Sequence, residues 1–150
     1  GDAVGFQGMA LGQAIDLESE GKAVSLDALK AMHAKKTGAL ITASLLMGAA
    51  CGEPSDSDWD ALAEAGEAIG LAFQIQDDIL DETVSTETLG KTKGRDQMLG
   101  KSTFPSLMGI EASGQEASAL VEIALNALAR IDKDTTMLET LARLSVERTN

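Results

Sequence analysis

Apolar positions recur along most of the chain at three- and four-residue intervals and nowhere alternate for long, a pattern that predicts helices throughout. Val4, Met9, Leu11, Ile15 and Leu17 lead into the acidic cluster Asp16, Glu18 and Glu20, and Gly21 then offers a stop signal, so a first helix ends there. Its beginning is indistinct. Gly1, Gly5, Gly8 and Gly12 form helices poorly in water, although glycines so spaced let neighbouring helices approach closely. Ser25 reads as an N-cap with Asp27 in the first turn. From there Leu26, Leu29, Met32, Leu40, Leu45 and Leu46 carry a second helix as far as Cys51, bent by Gly38 near Lys36 and Thr37. The segment Gly52-Glu-Pro-Ser-Asp-Ser57 is a loop. Asp56 or Ser57 caps a third helix through Leu62, Ile69, Phe73, Ile75, Ile79 and Leu80, and a loop is predicted over residues 83–96.

Beyond that loop a helix is predicted from Met98 to Ile110, with Pro105 disturbing it or forcing a later start. Ser113-Gly-Gln-Glu116 has the capping-box spacing ahead of Leu120, Val121, Ile123, Ala124 and Leu128. Thr135 or Thr136 opens a last helix with Leu138, Leu141 and Leu144. No tandem repeat or low-complexity segment interrupts the series, and residues 1–150 read as one domain.

Composition agrees with the periodicity. Apolar residues make up 44% of the 150, aromatics only 3%, and Tyr is absent, which favours helices and starves a sheet of its preferred residues. The fold class is all-α. A net charge of −12, from 24 acids against 12 bases, makes nucleic acid and anionic lipid poor partners. Four of the 12 bases, Lys91, Lys93, Arg95 and Lys101, nevertheless share one short stretch, which suits either a small anionic ligand or a solvated loop. Cys51 is the only cysteine, so no internal disulfide forms and a reducing cytosol fits; its small-residue surroundings read as a buried, inert thiol. No basic-then-apolar leader is visible, and no stretch approaches the ~20 apolar residues of a spanning helix. A soluble, cytoplasmic chain without membrane insertion is expected.

The chemistry concentrates in Gly70-Leu-Ala-Phe-Gln-Ile-Gln-Asp-Asp-Ile-Leu-Asp81. Gln74, Asp77, Asp78 and Asp81 fall at i, i+3, i+4 and i+7, on one helical face. Gly66 and Gly70 continue that face and read as leaving space above it, while Phe73, Ile79 and Leu80 are assigned to the opposite side. Three carboxylates near a helix C-terminus repel one another, and the dipole disfavours each by roughly 0.3–1 kcal/mol. A hard divalent cation such as Mg²⁺ relieves both costs; a solvated acidic helix end is the plain alternative. Downstream come Gly90-Lys-Thr-Lys-Gly-Arg-Asp96 and Gly100-Lys-Ser-Thr103. Carboxylates with Mg²⁺ on one wall and lysines on the other make a site for a diphosphate. The stretch from Gly94 to Ser102 nearly spells a P-loop, but five residues separate its glycines where the motif has four, and no apolar strand precedes it. Nucleotide binding is rejected.

Two smaller groups complete the inventory. Gln13 and Asp16 sit at i, i+3, and Asp16 either joins a metal shell or is solvated. Lys36, between Met32 and Leu40, either snorkels to the surface or, if buried, needs an anionic partner. His33 reads as a surface or packing residue rather than a ligand.

Together the words Gly12-Gln-Ala-Ile-Asp16, Lys36-Thr-Gly38, Gly70 to Asp81, Gly90-Lys91 and Asp96-Gln-Met-Leu-Gly-Lys-Ser-Thr103 resemble the trans-isoprenyl diphosphate synthases, most closely the bacterial farnesyl diphosphate synthases. The resemblance covers essentially the whole chain. It implies an all-α isoprenoid synthase bundle around a deep central cavity, of which residues 1–150 are the C-terminal half. By that resemblance Asp77, Asp78 and Asp81 are the second aspartate-rich motif, holding Mg²⁺ bridged to an allylic diphosphate. Lys36 and Lys91 match diphosphate-binding lysines, with Lys101 close behind. The Thr37 carbonyl and the Gln74 side chain match positions facing the carbocation, Phe73 one beside the homoallylic substrate, and Asp16 an accessory metal-side carboxylate.

The implied reaction is head-to-tail condensation of isopentenyl diphosphate with dimethylallyl or geranyl diphosphate to give farnesyl diphosphate. A geranylgeranyl or longer-chain synthase and a non-catalytic partner subunit are the alternatives. The family's first aspartate motif and isopentenyl-diphosphate-binding basic residues precede the word at Gly12 and are missing here. The resemblance therefore implies an incomplete chain that folds stably only with its N-terminal half or a second copy. It is expected to be inactive alone and to belong to a homodimer in the intact enzyme.

Overall fold

The computed structural model describes residues 1–88 and 100–148, with side chains described up to Thr83 and again from Gly100. Every regular element among them is helical. The expected boundaries hold where local chemistry sets them. Helix α1 runs Met9–Glu18 and α2 Leu26–His33, with the Ser25 hydroxyl accepting from the Ala28 N–H as the predicted N-cap. Helix α3 spans Ala39–Ala49, and α7 spans Thr136–Glu147 with Thr135 at its N-cap.

Between α2 and α3 the chain does not simply bend at Gly38. It widens into a π-helical segment, Ala34–Gly38, closed by a hydrogen bond from the Ala39 N–H to the Ala34 carbonyl. Lys36 and Thr37 lie inside this extra-wide turn, a departure from regular helix that commonly accompanies a working site. Backbones press on it from both sides. A Cβ on Gly12 of α1 would lie 2.5 Å from Lys36 Cα, and one on Gly70 would lie 2.7 Å from Gly38 Cα. A Cβ on Gly66 would likewise lie 2.8 Å from Thr42 Cα, so Gly66 and Gly70 do not leave the expected space above their helix but seat it against α3 and the π segment.

Helix α4, Asp56–Thr88, is longer than expected and continues five residues past the predicted loop start at residue 83. Nothing in Glu82-Thr-Val-Ser-Thr-Glu-Thr breaks a helix, and composition alone suggested the loop. Its cap is Ser55 rather than Asp56 or Ser57: the Asp58 N–H donates to Ser55 Oγ and the Ser55 N–H to Asp58 Oδ2, a reciprocal box. As anticipated, Pro105 delays the next helix. Helix α5 is Phe104–Met108, with Pro105 in its first turn and a capping box between Thr103 and Ser106. Helix α6, Ile110–Leu128, begins before Ser113, which is therefore not an N-cap; buried inside the first turn, its hydroxyl donates back to the Gly109 carbonyl.

Two cores hold these helices. Leu62, Ala65, Ala68 and Ile69 of α4 meet Ala124, Ala127 and Leu128 of α6 and Ala142 of α7. Leu29, Met32, Ile75, Phe104 and Ala117 form the second, beneath α2 and α5. Small residues dominate the first, so α4 and α6 pack closely. The outer surface is less well covered. None of the eleven residues of α3 is buried, though the helix is almost wholly apolar, and Leu40, Met47, Met137, Leu141 and Leu144 are exposed. Cys51, expected to be buried, is exposed, because the chain leaves α3 through a 3-10 turn at Ala50–Gly52 on the outside of the bundle. Among the described residues no helix is long and apolar enough to cross a membrane.

Candidate functional site

The π segment and the first turns around it assemble a charged cluster from three distant parts of the chain. Asp16, at the end of α1, is 5% exposed. Its Oδ2 accepts from Lys36 Nζ and from Lys101 Nζ, each at 2.8 Å, so the two ammonium nitrogens lie no farther apart than twice that length. Glu20, one turn on, stands 3.5 Å from the Lys101 ammonium. Burial alone would raise the Asp16 carboxyl, but the hydrogen bonds from Lys101 and Lys36 and their charges outweigh it and hold it below its ordinary value. Lys36 thus has the anionic partner that a buried lysine needs.

A second polar chain crosses from this cluster to α4. Thr37 Oγ1 donates to Gln74 Oε1 at 3.1 Å, Gln74 Nε2 donates to Asp78 Oδ1 at 2.9 Å, and Asp78 Oδ2 accepts from the Phe104 N–H at 3.1 Å. Asp78 is buried, and its carboxylate sits at the N-terminal end of α5, where an orphan amide and the dipole favour negative charge. Beneath the two networks lies His33, 5% exposed, with its ring centroid 5.7 Å from that of Phe104. Burial, followed by the charge of Lys36, pushes its imidazole down to about 4, against a smaller opposing pull from Asp16. His33 is a neutral packing residue.

Asp77 takes a different direction. Its side chain is 59% exposed and pairs with Arg148 at 3.6 Å; the same guanidinium stands 3.9 Å above the Phe73 ring and donates to the Phe73 carbonyl. The sequence expectation puts Phe73 on the side of the helix opposite the aspartates. It lies instead beside Asp77, one turn earlier on α4, and Arg148 covers both. Asp81 follows Asp77 by one turn on the same helix. The sequence carries no signal for Arg148, which reaches Phe73 from 75 residues away. In the sequence Glu20 is no more than part of an acidic helix end.

Lys91, with Lys93, Arg95 and Asp96, lies outside the described residues. Among those described, no three His, Cys, Asp or Glu side chains gather into a cation cage. Asp78 has both oxygens engaged by Gln74 and Phe104, and Asp16 faces two ammonium groups. Asp77, paired with Arg148 at 3.6 Å, and Asp81, one turn on, are the other two carboxylates of that stretch of α4. Mg²⁺ fits such a pair, because it takes one or two carboxylates and completes its shell with water and substrate phosphate oxygens. An open groove of about 860 Å³ runs between α2–α3 and α4 with α6, lined by Ala31, Gly38, Thr42, Ala68, Leu71 and Leu120. Neither the lysine pair nor the aspartates line it.

A family model described as polyprenyl synthetase matches residues 5–141. The chain belongs to the polyprenyl synthetase family. It is 48% identical over 150 residues to the farnesyl diphosphate synthase of Escherichia coli (strain K12), covering 97% of this chain and 50% of that protein. The large subunit 2 of a heterodimeric geranylgeranyl pyrophosphate synthase from Arabidopsis thaliana is 42% identical, over 81% of this chain and 33% of that one. Among solved structures, the Helicobacter pylori geranyltransferase complexed with magnesium and isoprenyl diphosphate superposes with a TM-score of 0.76 at 33% identity, covering 97% of this chain and 48% of its own. The polyprenyl synthetase bundle is thus shared, and the chain spans about half the length of the two bacterial relatives.

Proposed function

We propose that this chain forms the allylic-diphosphate side of a prenyltransferase that condenses isopentenyl diphosphate head to tail with an allylic diphosphate, with farnesyl diphosphate as product. The observation that carries the reading is the hydrogen-bonded path Thr37–Gln74–Asp78, which starts at the chain neighbour of Lys36 in the Lys36–Asp16–Lys101 cluster and ends on α4. A lysine wall and a carboxylate wall held together suit a ligand with several anionic oxygens. Lys36 and Lys101, with Lys91, grip those oxygens as point charges. Asp77 and Asp81 are the residues that would hold Mg²⁺. When bound, the cation draws charge from the departing diphosphate and so eases cleavage of its bond to the allylic carbon.

The residues of the chain do the rest. Lysine ammonium groups stabilise the charge that develops on the leaving oxygens. Thr37 and Gln74, locked to each other, present oxygen dipoles toward the allylic carbon, and Phe73 offers an apolar wall beside the second substrate. Asp78 acts through Gln74 and the start of α5, holding the amide in place, and not as a cation ligand.

Titration calorimetry with inorganic pyrophosphate, with and without Mg²⁺, tests the site. Binding should be tightened by the metal, and both Asp77→Asn and Asp81→Asn should remove that gain; indifference to either substitution would refute the assignment.

Completion of the bundle is the second element of the reading. An apolar helix with no buried residue, α3, and the exposed row Met137, Leu141 and Leu144 on α7 call for cover, and large uncovered apolar surface drives association. The cover proposed is the half of the relatives' length that this chain does not span, within a homodimeric enzyme. Co-expression with the N-terminal half of the Escherichia coli farnesyl diphosphate synthase should yield a complex that forms product. Product formation by the chain alone would count against this reading.

A further inference from the structure

In the lysine cluster two cations share one carboxylate oxygen, while the carboxylate itself cannot withdraw. Asp16 lies one turn beyond Gly12, where the α1 backbone touches the backbone of Lys36, so its distance from the π segment is fixed. Lys36 and Lys101 are each partly exposed, at 28% and 17% of their side chains, against 7% for Asp16. An anion approaching from solvent therefore meets two ammonium groups already engaged from below. Glu20 adds a looser hold on Lys101 at 3.5 Å.

We propose that Asp16 is the internal counter-ion of the diphosphate site: it keeps Lys36 and Lys101 together when no ligand is present and competes with the ligand for them when one arrives. The proposal rests on the reading of Lys36 and Lys101 as diphosphate-binding groups. Its physical content is a balance. Two lysines this close repel and would splay without a shared anion, and burial makes that anion's pull strong. The same pull weakens capture of a diphosphate and speeds its departure. A site that releases a diphosphate once per turnover gains from this, since bare lysines would retain the leaving group. Asp16 is a positioning residue in this scheme, acting on the substrate through the two lysines, and it does not hold the cation.

The test is calorimetric titration of the full chain with inorganic pyrophosphate, first without Mg²⁺ and then with it. Asp16→Asn keeps the shape and removes the charge, and should bind pyrophosphate about tenfold more tightly in the absence of metal. A merely structural role would weaken binding, so equal or weaker binding overturns the proposal. A loss confined to the Mg²⁺-dependent part would make Asp16 a cation ligand and overturns it too. Glu20→Gln, a more exposed change, should tighten binding about twofold, because Glu20 holds only Lys101 and is better screened. Should Asp16→Asn not fold, this variant decides: tighter binding supports the proposal, and unchanged or weaker binding overturns it. Lys36→Gln and Lys101→Gln separate the two levels. If they leave pyrophosphate binding untouched, the diphosphate site itself is wrongly placed; if they abolish it while Asp16→Asn does not tighten it, only the counter-ion role fails.

Discussion

Acid should destabilise this fold through a single buried imidazole. His33 is 5% exposed, packs on Phe104, and is held neutral down to about 4 by burial and by the neighbouring charges of Lys36 and Lys101. Its Nδ1 has no hydrogen-bond partner among the described residues. In the unfolded chain the same ring takes a proton near 6.5, so between these two values the unfolded state binds more protons and stability rises with pH. The contribution is fully present above about pH 6.5 and is lost as pH falls through about 4. A displacement of this size corresponds to about 3 kcal/mol between pH 7 and pH 4, with roughly half already gone by pH 5.5. Asp16, held low by its two lysines, also contributes to acid sensitivity, so the comparison must be differential. Urea unfolding of the parent and of His33→Leu, followed by circular dichroism at several pH values, isolates the histidine. The variant should lose about 3 kcal/mol less than the parent on going from pH 7 to pH 4. Parallel profiles for the two proteins would refute the argument, since they would mean that His33 titrates alike in both states.

Three further substitutions test the packing around the site. Gly12→Ala puts a methyl group 2.5 Å from Lys36 Cα, where backbone meets backbone and nothing can rotate away; a net loss of about 2 kcal/mol in denaturant unfolding is expected after the gain in helix propensity. Asp78→Ala strands the Phe104 amide and one Gln74 donor and should cost about 2 kcal/mol, whereas Asp78→Asn, with the Gln74 amide turned over, should cost less than about 1 kcal/mol by the same assay. Arg148→Ala removes both the contact with the Phe73 ring and the half-exposed pair with Asp77; about 1 kcal/mol should go, most of it surviving high salt because the ring contact is the larger part.

Local chemistry made most of the fold readable. Ser25 caps α2 and Pro105 delays α5, since in both cases the signal and its effect lie within a turn of one another; at α7 Thr135 holds the N-cap position, but Asp134 is the side chain that accepts from the Thr136 N–H. Errors arose where the deciding contact is distant or where two neighbouring residues offer the same chemistry. Ser55 outcompetes Asp56 as a cap because Asp58 answers it, and Ser113 is absorbed into α6 because Gly109 can turn the chain earlier, at φ 86°. The glycines of α4 look like vacancies along one chain; only the neighbouring helix reveals that Gly38 and Thr42 fill them. The acidic face of α4 was legible as a face, but not its division. Asp78 turns inward because α5 begins above it, and Asp77 turns outward because Arg148 arrives from the far end of the chain. Likewise, Asp16 could be named as a candidate, while its two partners, 20 and 85 residues away, could not be foreseen from spacing.

The two ammonium groups are mounted very differently. One rides on a rung clamped between two helices by glycine contacts, so its root behaves as a fixed post. The other follows a glycine at φ 65°, at the head of a short connection leading into α5, where the contact with the chain ahead of α2 is a long hydrogen bond from the Val24 N–H to Ser102 Oγ at 3.4 Å. Whenever the gap between the two changes to suit ligands of different girth, the adjustment falls to the Lys101 side, and stiffening that connection should narrow the range of anions accepted.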